Sequence, residues 1–419
     1  MHRVIFFFLS FFFSINCSAQ IEFICSIIST DSIEGFIGTS GEYVYNSNAL
    51  LNPFIHGLYN GQFIDNQLKD EVSGKLKKQN RLGVNAGYNI YYAFRNKEKS
   101  TGFFVSLKNK EHLDTQFSQD LFNLAFYGNK RFDGKVANLD NFSFNLLKYQ
   151  ELQFGFVTQM GKQYKENGRL KLGLGLSLLK GEQSLVVNSK RARLFTSYNM
   201  QNIEFQYDAI VNRSDTLSKG LNTINGLGAG LELFLEIPYI LQHNPGKIRI
   251  EMKDLGAIFW NTNSLTYHQD TVYHFDGLQA GNILKPKDSF FNPTYKDSAI
   301  ASLFSYQKKS YKTNIPAIFD ISTTTSYGDF QFVKGFRYMF NANYLPCYYL
   351  KANYSFSKKT AATFSVGYGG YGNLNFGLEL NKEIGTGFIL HAGSNNIEGF
   401  IVPKLTTGQG IYASLRKIF

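Results

Sequence analysis

The chain has 419 residues, carries a formal net charge of +11, and is 16% aromatic. No stretch approaches the roughly 18 consecutive apolar residues of a membrane-spanning helix, which excludes a helical membrane protein. Three cysteines in the whole sequence exclude a disulfide-rich scaffold.

The N terminus predicts export. Arg3 precedes the apolar run 4–15, and small residues follow that run. A basic start, an apolar middle and a small-residue end are typical of a secretory signal peptide. We therefore expect residues 1–19 to be removed by cleavage between Ala19 and Gln20.

The cysteines leave two questions open. Cys17 would carry the lipid of a lipoprotein, but Asn16 is a poor residue before such a cysteine, which disfavours that alternative. Cys25 and Cys347 remain after cleavage. The sequence does not distinguish one disulfide between them from two unpaired thiols.

Alternation of apolar and polar residues predicts the fold. In GRLKLGLGLSLLKG (168–181), leucine occupies every second position from Leu170 to Leu178, with lysine, glycine and serine between. This period of two predicts a β-strand. The same pattern recurs at 81–95, 151–161, 202–210, 224–237, 247–252, 331–344, 348–356, 362–370, 373–381 and 387–393, and more weakly at 101–110, 184–191, 315–326 and 409–419.

Strand length indicates whether the apolar face of these strands packs against a protein core or against membrane lipid. Many of these runs are about 9–15 residues long, whereas soluble strands have about 5–6 residues and tilted membrane strands about 9–11. The sequence therefore predicts an all-β fold, a closed antiparallel transmembrane β-barrel of about 14 strands. Its leucines face lipid and its glycines face the lumen.

The N-terminal part is predicted to be different. Residues 62–79 have the pattern of an amphipathic helix, so we expect residues 20–80 to form a short helical or irregular segment that plugs the lumen or lies at the periplasmic rim. A plain surface helix is the alternative. The barrel is then expected over 81–419, with long loops at 111–148, 181–200 and 262–314, and with residues 285–310 as an external loop or cap.

The C-terminal stretch IYASLRKIF predicts a final strand. Ala413 and Leu415 alternate on one face before the aromatic Phe419. Phe419, Leu415 and Ala413 resemble the signal that the barrel assembly machinery of the outer membrane reads, so that machinery is an expected partner.

No motif indicates a chemical site. The glycines at 226–230 lie inside an alternating strand, whereas a nucleotide fingerprint requires a strand-to-helix turn. Four potential metal ligands share one face of an extended segment, but their spacing matches no zinc pattern: His268, Asp270, His274 and Asp276. No nucleophile elbow is present. We therefore predict no cofactor, no metal and no enzymatic activity.

Charged residues of both signs are predicted on the lumen face. They are Arg81, Arg95, Arg169, Lys171, Glu232, Glu236, Arg249 and Glu251. Because unpaired buried charge is costly, we favour structural ion pairs over an aqueous path lined by free charges.

Three short motifs carry a family resemblance. They are the segment 48–53, Asp254–Gly256 with Phe259–Asn261, and the ending 393–400. Together they resemble outer-membrane barrels related to the long-chain fatty-acid transporter family, and most of all a Gram-negative group of uncharacterised exported barrels, some relatives of which serve secretion or gliding machinery. The resemblance implies a barrel of about 14 strands with an N-terminal segment at or in the lumen.

These observations lead to two functional hypotheses. The first is a porin-like outer-membrane channel or transporter for a small molecule. Both a hydrophobic and a polar molecule are open at this point. The second is a non-transporting barrel subunit or partner of a secretion or motility complex, which would bind other envelope proteins. In both, the expected surroundings are outer-membrane lipid and lipopolysaccharide, because an exported basic chain meets anionic head groups rather than nucleic acid.

Overall fold

A computed structural model describes residues 34–96, 100–161, 168–198, 202–215, 223–275 and 306–419. The predicted cleavage site at Ala19 and Gln20, Cys17, Cys25, Asp276 and most of the predicted cap at 285–310 lie outside these residues. Within the described part of the chain, no helix is long and apolar enough to cross a bilayer.

The described residues contain nineteen strands, all in one sheet. They are β1 (Gly35–Ser47), β2 (Gln79–Asn96), β3 (Thr101–Ser118), β4 (Lys135–Asn138), β5 (Phe142–Met160), β6 (Leu170–Thr196), β7 (Ile203–Arg213), β8 (Gly226–Leu241), β9 (Asn244–Trp260), β10 (Leu265–Phe275), β11 (Gln307–Lys308), β12 (Lys312–Asn314), β13 (Ala317–Tyr327), β14 (Phe330–Phe340), β15 (Leu345–Ser357), β16 (Thr360–Gly370), β17 (Leu374–Ile384), β18 (Phe388–Ser394) and β19 (Gly408–Ile418).

Fourteen of these strands close into an antiparallel barrel, which confirms the predicted fold. The order around the barrel is β1, β2, β3, β5, β6, β8, β9 and then β13 to β19 in sequence. The ring closes where β19 pairs with β1 over the ladder from Phe36–Ile418 to Asn46–Gly408. Closure leaves no free edge in the barrel, as strands that cross a bilayer require.

The two ends of the barrel differ. Tight connections such as 242–243, 328–329 and 358–359 lie at the end where β1 begins and β19 ends, which we call the turn end. All helices and the longer connections lie at the opposite end, which we call the loop end, within the described residues. This is the usual layout of outer-membrane barrels, with the turn end in the periplasm.

Strand length divides the barrel into two walls. The tall wall consists of β2, β3, β5, β6, β8 and β9, which have 18, 18, 19, 27, 16 and 17 residues. The short wall consists of β13 to β19, which have 11, 11, 13, 11, 11, 7 and 11 residues. Apart from β18, the strands of the short wall have the length needed to cross a bilayer, so the tall wall extends beyond the membrane at the loop end.

The extension of the tall wall corrects the predicted loops. β6 is one continuous strand through most of 181–200, and its upper part pairs with β4 and β7. β3 and β5 likewise occupy both ends of 111–148, and β10 pairs with β7 inside 262–314. These strands lie beyond the membrane, where neither face meets lipid, so polar residues on both faces weaken the alternation that marks the other strands.

Four helices lie at the loop end. They are α1 (Asn52–Tyr59), α2 (Asn66–Lys75), α3 (Gln119–Tyr127) and α4 (Glu398–Ile401). Side chains of Asp65 and Ser118 accept hydrogen bonds from the backbone N–H groups of Leu68 and Leu121, which fixes where α2 and α3 begin.

The helices lie outside the barrel, which corrects the predicted plug. α1, α2 and α3 pack in one apolar cluster with Leu82, Phe117 and Phe142, which share the outward-facing parity of their strands. The expected boundary at residue 80 is also wrong, because β1 is already a barrel strand. The short polar and glycine-containing run of β1 hid its alternation. We call α1, α2, α3 and the segment 398–405 the collar.

The exterior between the collar and the turn end is apolar. Leu176 and Leu178 of β6 are 57% and 64% exposed, whereas Gly173 and Gly175 face the lumen and are buried. At the turn end, Tyr92 stacks on Phe419 with ring centroids 6.2 Å apart, as part of an aromatic girdle. A closed barrel with such an exterior crosses a bilayer, and the protein is located in the outer membrane.

Candidate functional site: the barrel lumen

The lumen contains a cavity of about 340 Å³. Its lining comes from both walls and from β1, and includes Glu42, Lys108, Asp254, Arg337 and Glu379. Cavities of this size are at the lower end of those that hold small molecules in proteins.

On the tall wall, charged side chains form one network. The Lys108 ammonium lies 3.1 Å from the Glu151 carboxylate and 3.9 Å from that of Glu232, and Lys110 lies 2.5 Å from Asp254. The Ser177 hydroxyl donates to Glu151 at 2.7 Å. The carboxylates of Glu151 and Glu232 are almost fully buried, so each needs such partners to remain in the barrel interior.

Towards the turn end, the tall-wall network is centred on Glu236. Its carboxylate accepts a hydrogen bond of 2.8 Å from Arg249 and lies 3.0 Å from Lys171 and 3.5 Å from Lys247. Three cations on one carboxylate place a positive excess at this point of the wall.

The short wall has a separate network. Asp320 accepts hydrogen bonds from Arg337 at 2.8 Å and from the Tyr349 hydroxyl at 2.7 Å. Glu379 lies 2.7 Å from Lys351 and 3.4 Å from His391. In all the ion pairs described for the two networks, both partners belong to the same wall.

Two turns of the short wall fold into the lumen at the loop end. In the turn 341–344, Asn343 donates through its backbone N–H and its side-chain amide to the buried carboxylate of Asp114, at 3.1 and 3.0 Å. Asn343 also accepts from the Ser143 hydroxyl at 3.0 Å. These bonds cross the lumen from the short wall to the tall wall.

The second turn, 371–373, makes a parallel set of contacts. Arg81 donates to the carbonyl oxygens of Gly370 and Gly372 at 3.0 and 3.4 Å, and Asn373 donates to the Asn48 carbonyl at 3.0 Å. The Tyr371 ring lies against Gly83, where a Cβ atom would approach it to 2.2 Å. Burial raises the pKa of Tyr371, so its hydroxyl stays protonated at working pH. We call the turns 341–344 and 371–373 the lumen turns.

The structure brings together many of the charges predicted for the lumen. Lys171, Glu236, Arg249 and Glu251 lie in one ion-pair network, and Glu232 joins Lys108. The pairing predicted for them is therefore observed. Arg81 binds a lumen turn instead of an acid, and Arg169 is exposed before β6 begins.

Other predicted residues lie away from the lumen. His268 and His274 are exposed residues of β10 in the extension, 3.4 and 3.6 Å from carboxylates of β7. Among the described residues, no group of three or more potential ligands is arranged for a metal ion. Cys347 is buried in the lumen lining. Ala413, Leu415 and Phe419 lie on the outward face of β19, and their role in assembly stays a prediction.

Sequence reasoning missed several lumen residues. Lys108 and Lys110 alternate with Leu107 in a strand that the pattern marks only weakly, and that alternation is the signal that could have found them. Asp254 had no such signal, because it lies in a β-bulge opposite Leu231–Leu233 with φ of 56°. The contacts of the lumen turns could not be predicted either, because these turns lie between strands and have no alternating pattern.

A model of a family of unknown function (DUF5723) matches residues 35–394. No curated protein sequence matches the chain.

Three solved structures illustrate the likeness. A deletion mutant of the monoaromatic hydrocarbon channel TodX has 9% identity and a TM-score of 0.48, with 96% of this chain and 95% of that chain covered. The P. putida toluene transporter TodX has 8% identity and a TM-score of 0.41, with 94% and 92% covered. The translocator domain of the Neisseria meningitidis autotransporter NalP has 6% identity and a TM-score of 0.37, with 96% and 95% covered. At these values the assignment of the fold rests on the closed ring of strands itself.

Proposed function

The chain belongs to the family of unknown function DUF5723, and we propose that it is an outer-membrane channel or transporter for a small molecule. The observation that carries the proposal is the lumen cavity of about 340 Å³ between the two charge networks. Because the ion pairs described above each stay within one wall, a solute in the space between the walls need not break any of these pairs.

The lining supports a cargo with both apolar and polar surface. Val44, Met339 and Tyr149 contribute apolar area, while Glu42 and Arg337 contribute charge. The charged lining supports a polar group on the same molecule, since a purely apolar solute would displace water from these side chains without replacing its hydrogen bonds.

The lumen turns are the gate in this proposal. They are held by a small number of hydrogen bonds to Asp114, Arg81 and Asn48. A neutral hydrogen bond contributes about 0.5–1.5 kcal/mol and one to a charged group about 1.5–3 kcal/mol. Release of a few such bonds is within the range that solute binding supplies.

Conductance in planar bilayers tests the proposal. The wild-type protein is expected to conduct in brief, small events, and the double variant Arg81→Ala/Asn343→Ala to conduct several-fold more, because both lumen turns lose a bond to the tall wall. Arg193→Ala is the matched control, since Arg193 pairs with Asp140 at 3.0 Å outside the lumen. It is expected to leave the conductance unchanged.

The second candidate is a non-transporting barrel subunit of an envelope complex. The observation that favours it is the closure of the loop end by the lumen turns. If the wild type and the double variant are both electrically silent and the lumen cavity takes up no small molecule, the channel proposal fails. Co-purification with other envelope proteins would then support the subunit.

A further inference from the structure

The collar presents apolar side chains that its own packing leaves uncovered. Within α1, Leu58 and Tyr59 are 50% and 64% exposed, and Phe63 follows at 90%. In the segment 398–405, Ile401 and Leu405 are 71% and 72% exposed. We call these five residues the collar patch.

The collar patch lies beside the barrel wall and not above the lumen. Tyr45 has the outward parity of β1, and its hydroxyl lies 2.9 Å from Nε2 of His56 in α1. The same imidazole nitrogen lies 3.0 Å from Oε1 of Gln409, which pairs with Tyr45 in the wall. α1 therefore rests against the outer face of β1 and β19.

The two parts of the collar patch lie on adjacent segments. The Asn52 side-chain amide, at the start of α1, donates to the Thr406 hydroxyl at 3.0 Å and to the Gly408 carbonyl at 3.1 Å. These bonds join α1 to the end of the segment 398–405, and α1 contacts residues 403–405 directly.

The depth of the collar follows from strand length. β19 has 11 residues, which is about the 9–11 that a tilted strand needs to cross the hydrocarbon core. The collar joins β19 at Gly408, so it lies at the outer boundary of that core. Ile411, three residues further along, is 51% exposed on the lipid-facing exterior. The collar patch is thus continuous with the lipid surface of the barrel.

We propose that the collar patch inserts into the outer leaflet of the membrane, at the boundary between acyl chains and head groups. Short amphipathic helices bind this boundary by burying apolar side chains, and tyrosine suits it because its ring is apolar and its hydroxyl polar. α1 and the segment 398–405 would then anchor the barrel in the outer leaflet and fix its depth and tilt. They would not plug the lumen. Insertion of the collar patch does not depend on transport through the lumen.

Fluorescence quenching by brominated lipid tests the proposal. The full-length protein is folded into phosphatidylcholine vesicles with bromine on the acyl chains near the head group. Trp260 is the single tryptophan of the chain. The emission of an introduced tryptophan is therefore obtained by subtracting the wild-type spectrum from that of the variant. Ile401→Trp and Leu58→Trp are expected to lose as much emission as the wall variant Ile411→Trp, and to resist quenching by aqueous iodide.

The aqueous reference is Tyr198→Trp, beyond β6, where Tyr198 is 75% exposed. It is expected to be quenched by iodide and unaffected by bromine. If either Ile401→Trp or Leu58→Trp behaves like this reference, the patch is not in lipid and the proposal is overturned. A variant that fails to fold, as judged by heat-dependent gel migration, is replaced by Leu405→Trp or Phe63→Trp, which carry the same expectation.

Discussion

At the loop end, the connections of the tall wall and the two lumen turns of the short wall pack in opposite directions, whereas the third short-wall connection, 395–407, joins the collar outside. Connections of the tall wall are long and pack on its outside, where Leu82, Phe117 and Phe142 offer an apolar surface. The lumen turns of the short wall are only a few residues long and fold inwards. The difference in height explains both, because the tall wall continues past the lumen turns and presents polar inward side chains to them.

The unequal height of the walls thus generates both a closed lumen and a covered exterior. Arg81, Asp114 and Ser143 would face open water in a barrel of uniform height. Here they bind the lumen turns. Two predictions test how far the two walls differ and two test the collar beside them, ordered from the largest expected effect to the smallest.

The first compares the charge networks. Glu236→Ala removes the buried carboxylate that Lys171, Lys247 and Arg249 share, and leaves the largely enclosed Lys171 and Arg249, 12% and 14% exposed, without it. We expect a loss of about 3–5 kcal/mol in the free energy of unfolding, because one partner of a buried ionic cluster is removed. Denaturant unfolding in detergent micelles measures it.

The matched variant on the short wall is Glu379→Ala. The side chain of its partner Lys351 is 31% exposed, against 12% for Lys171, so water stabilises the stranded cation. The expected loss is about 1 kcal/mol. Equal losses of unfolding free energy for Glu236→Ala and Glu379→Ala would contradict the view that water reaches the short-wall network more easily than the tall-wall network.

The second prediction breaks the contact between the walls. Asp114→Ala removes the acceptor of bonds from Asn343 and from Asn145, which donates at 2.7 Å. Because the lost bonds are to a buried charged group, we expect a cost of about 2–3 kcal/mol together with increased conductance in bilayers. Asn343→Ala should reproduce the gain in conductance at a smaller cost, since Asp114 then keeps Asn145. A variant that loses stability without conducting more would separate Asp114 from the gate.

The third prediction concerns the collar alone. Gly74 lies in α2 with no atom within 4 Å of the position that an alanine methyl group would take, so Gly74→Ala should stabilise α2 by about 0.5–1 kcal/mol. Hydrogen exchange of the α2 amides measures it. Gly61→Ala has equal space but a φ of +63°, and is expected to destabilise the collar. If Gly74→Ala also raises the stability of the whole barrel, the collar and the walls unfold as one unit.

The smallest effect is a pH dependence at the junction of the collar and the short wall. Glu398 accepts a hydrogen bond of 3.1 Å from the Phe376 N–H, and burial raises the pKa of its carboxyl above the ordinary value. The folded state then binds the proton more tightly than the unfolded state, so stability decreases as pH rises from the unfolded pKa through the folded one. Glu398→Gln is expected to flatten that slope in unfolding curves measured between about pH 4 and 7. A slope that survives the substitution would assign it to another group.

The sequence predicted the features that depend on a repeated environment. Lipid meets every second residue of a membrane strand, so the alternation from Leu170 to Leu178 was enough to place leucines outside and Gly173 and Gly175 inside. Pairing of Glu236 with Lys171 and Arg249 followed from the same parity and from the cost of unpaired charge.

The features it did not predict depend on single contacts between distant segments. For residues 62–79 the sequence leaves a plug, a place at the periplasmic rim and a plain surface helix open, because an amphipathic pattern shows that a helix has an apolar side but not which surface covers it. Likewise, nothing near Asn343 in the sequence indicates Asp114, 229 residues away. The height of each wall could not be predicted, because strand segments beyond the membrane lack the alternation of apolar and polar residues that marks a lipid-facing strand.

The seam between β1 and β19 has a consequence for biogenesis. These two strands pair along 11 positions although their residues are more than 360 apart in the chain, from Phe36–Ile418 to Asn46–Gly408. Until that ladder forms, both strands expose unsatisfied backbone groups, which hydrocarbon does not tolerate. Nascent hairpins therefore cannot enter the bilayer one after another as independent units. Closure, which pairs residues far apart in the chain, and the crossing of the membrane therefore have to occur together.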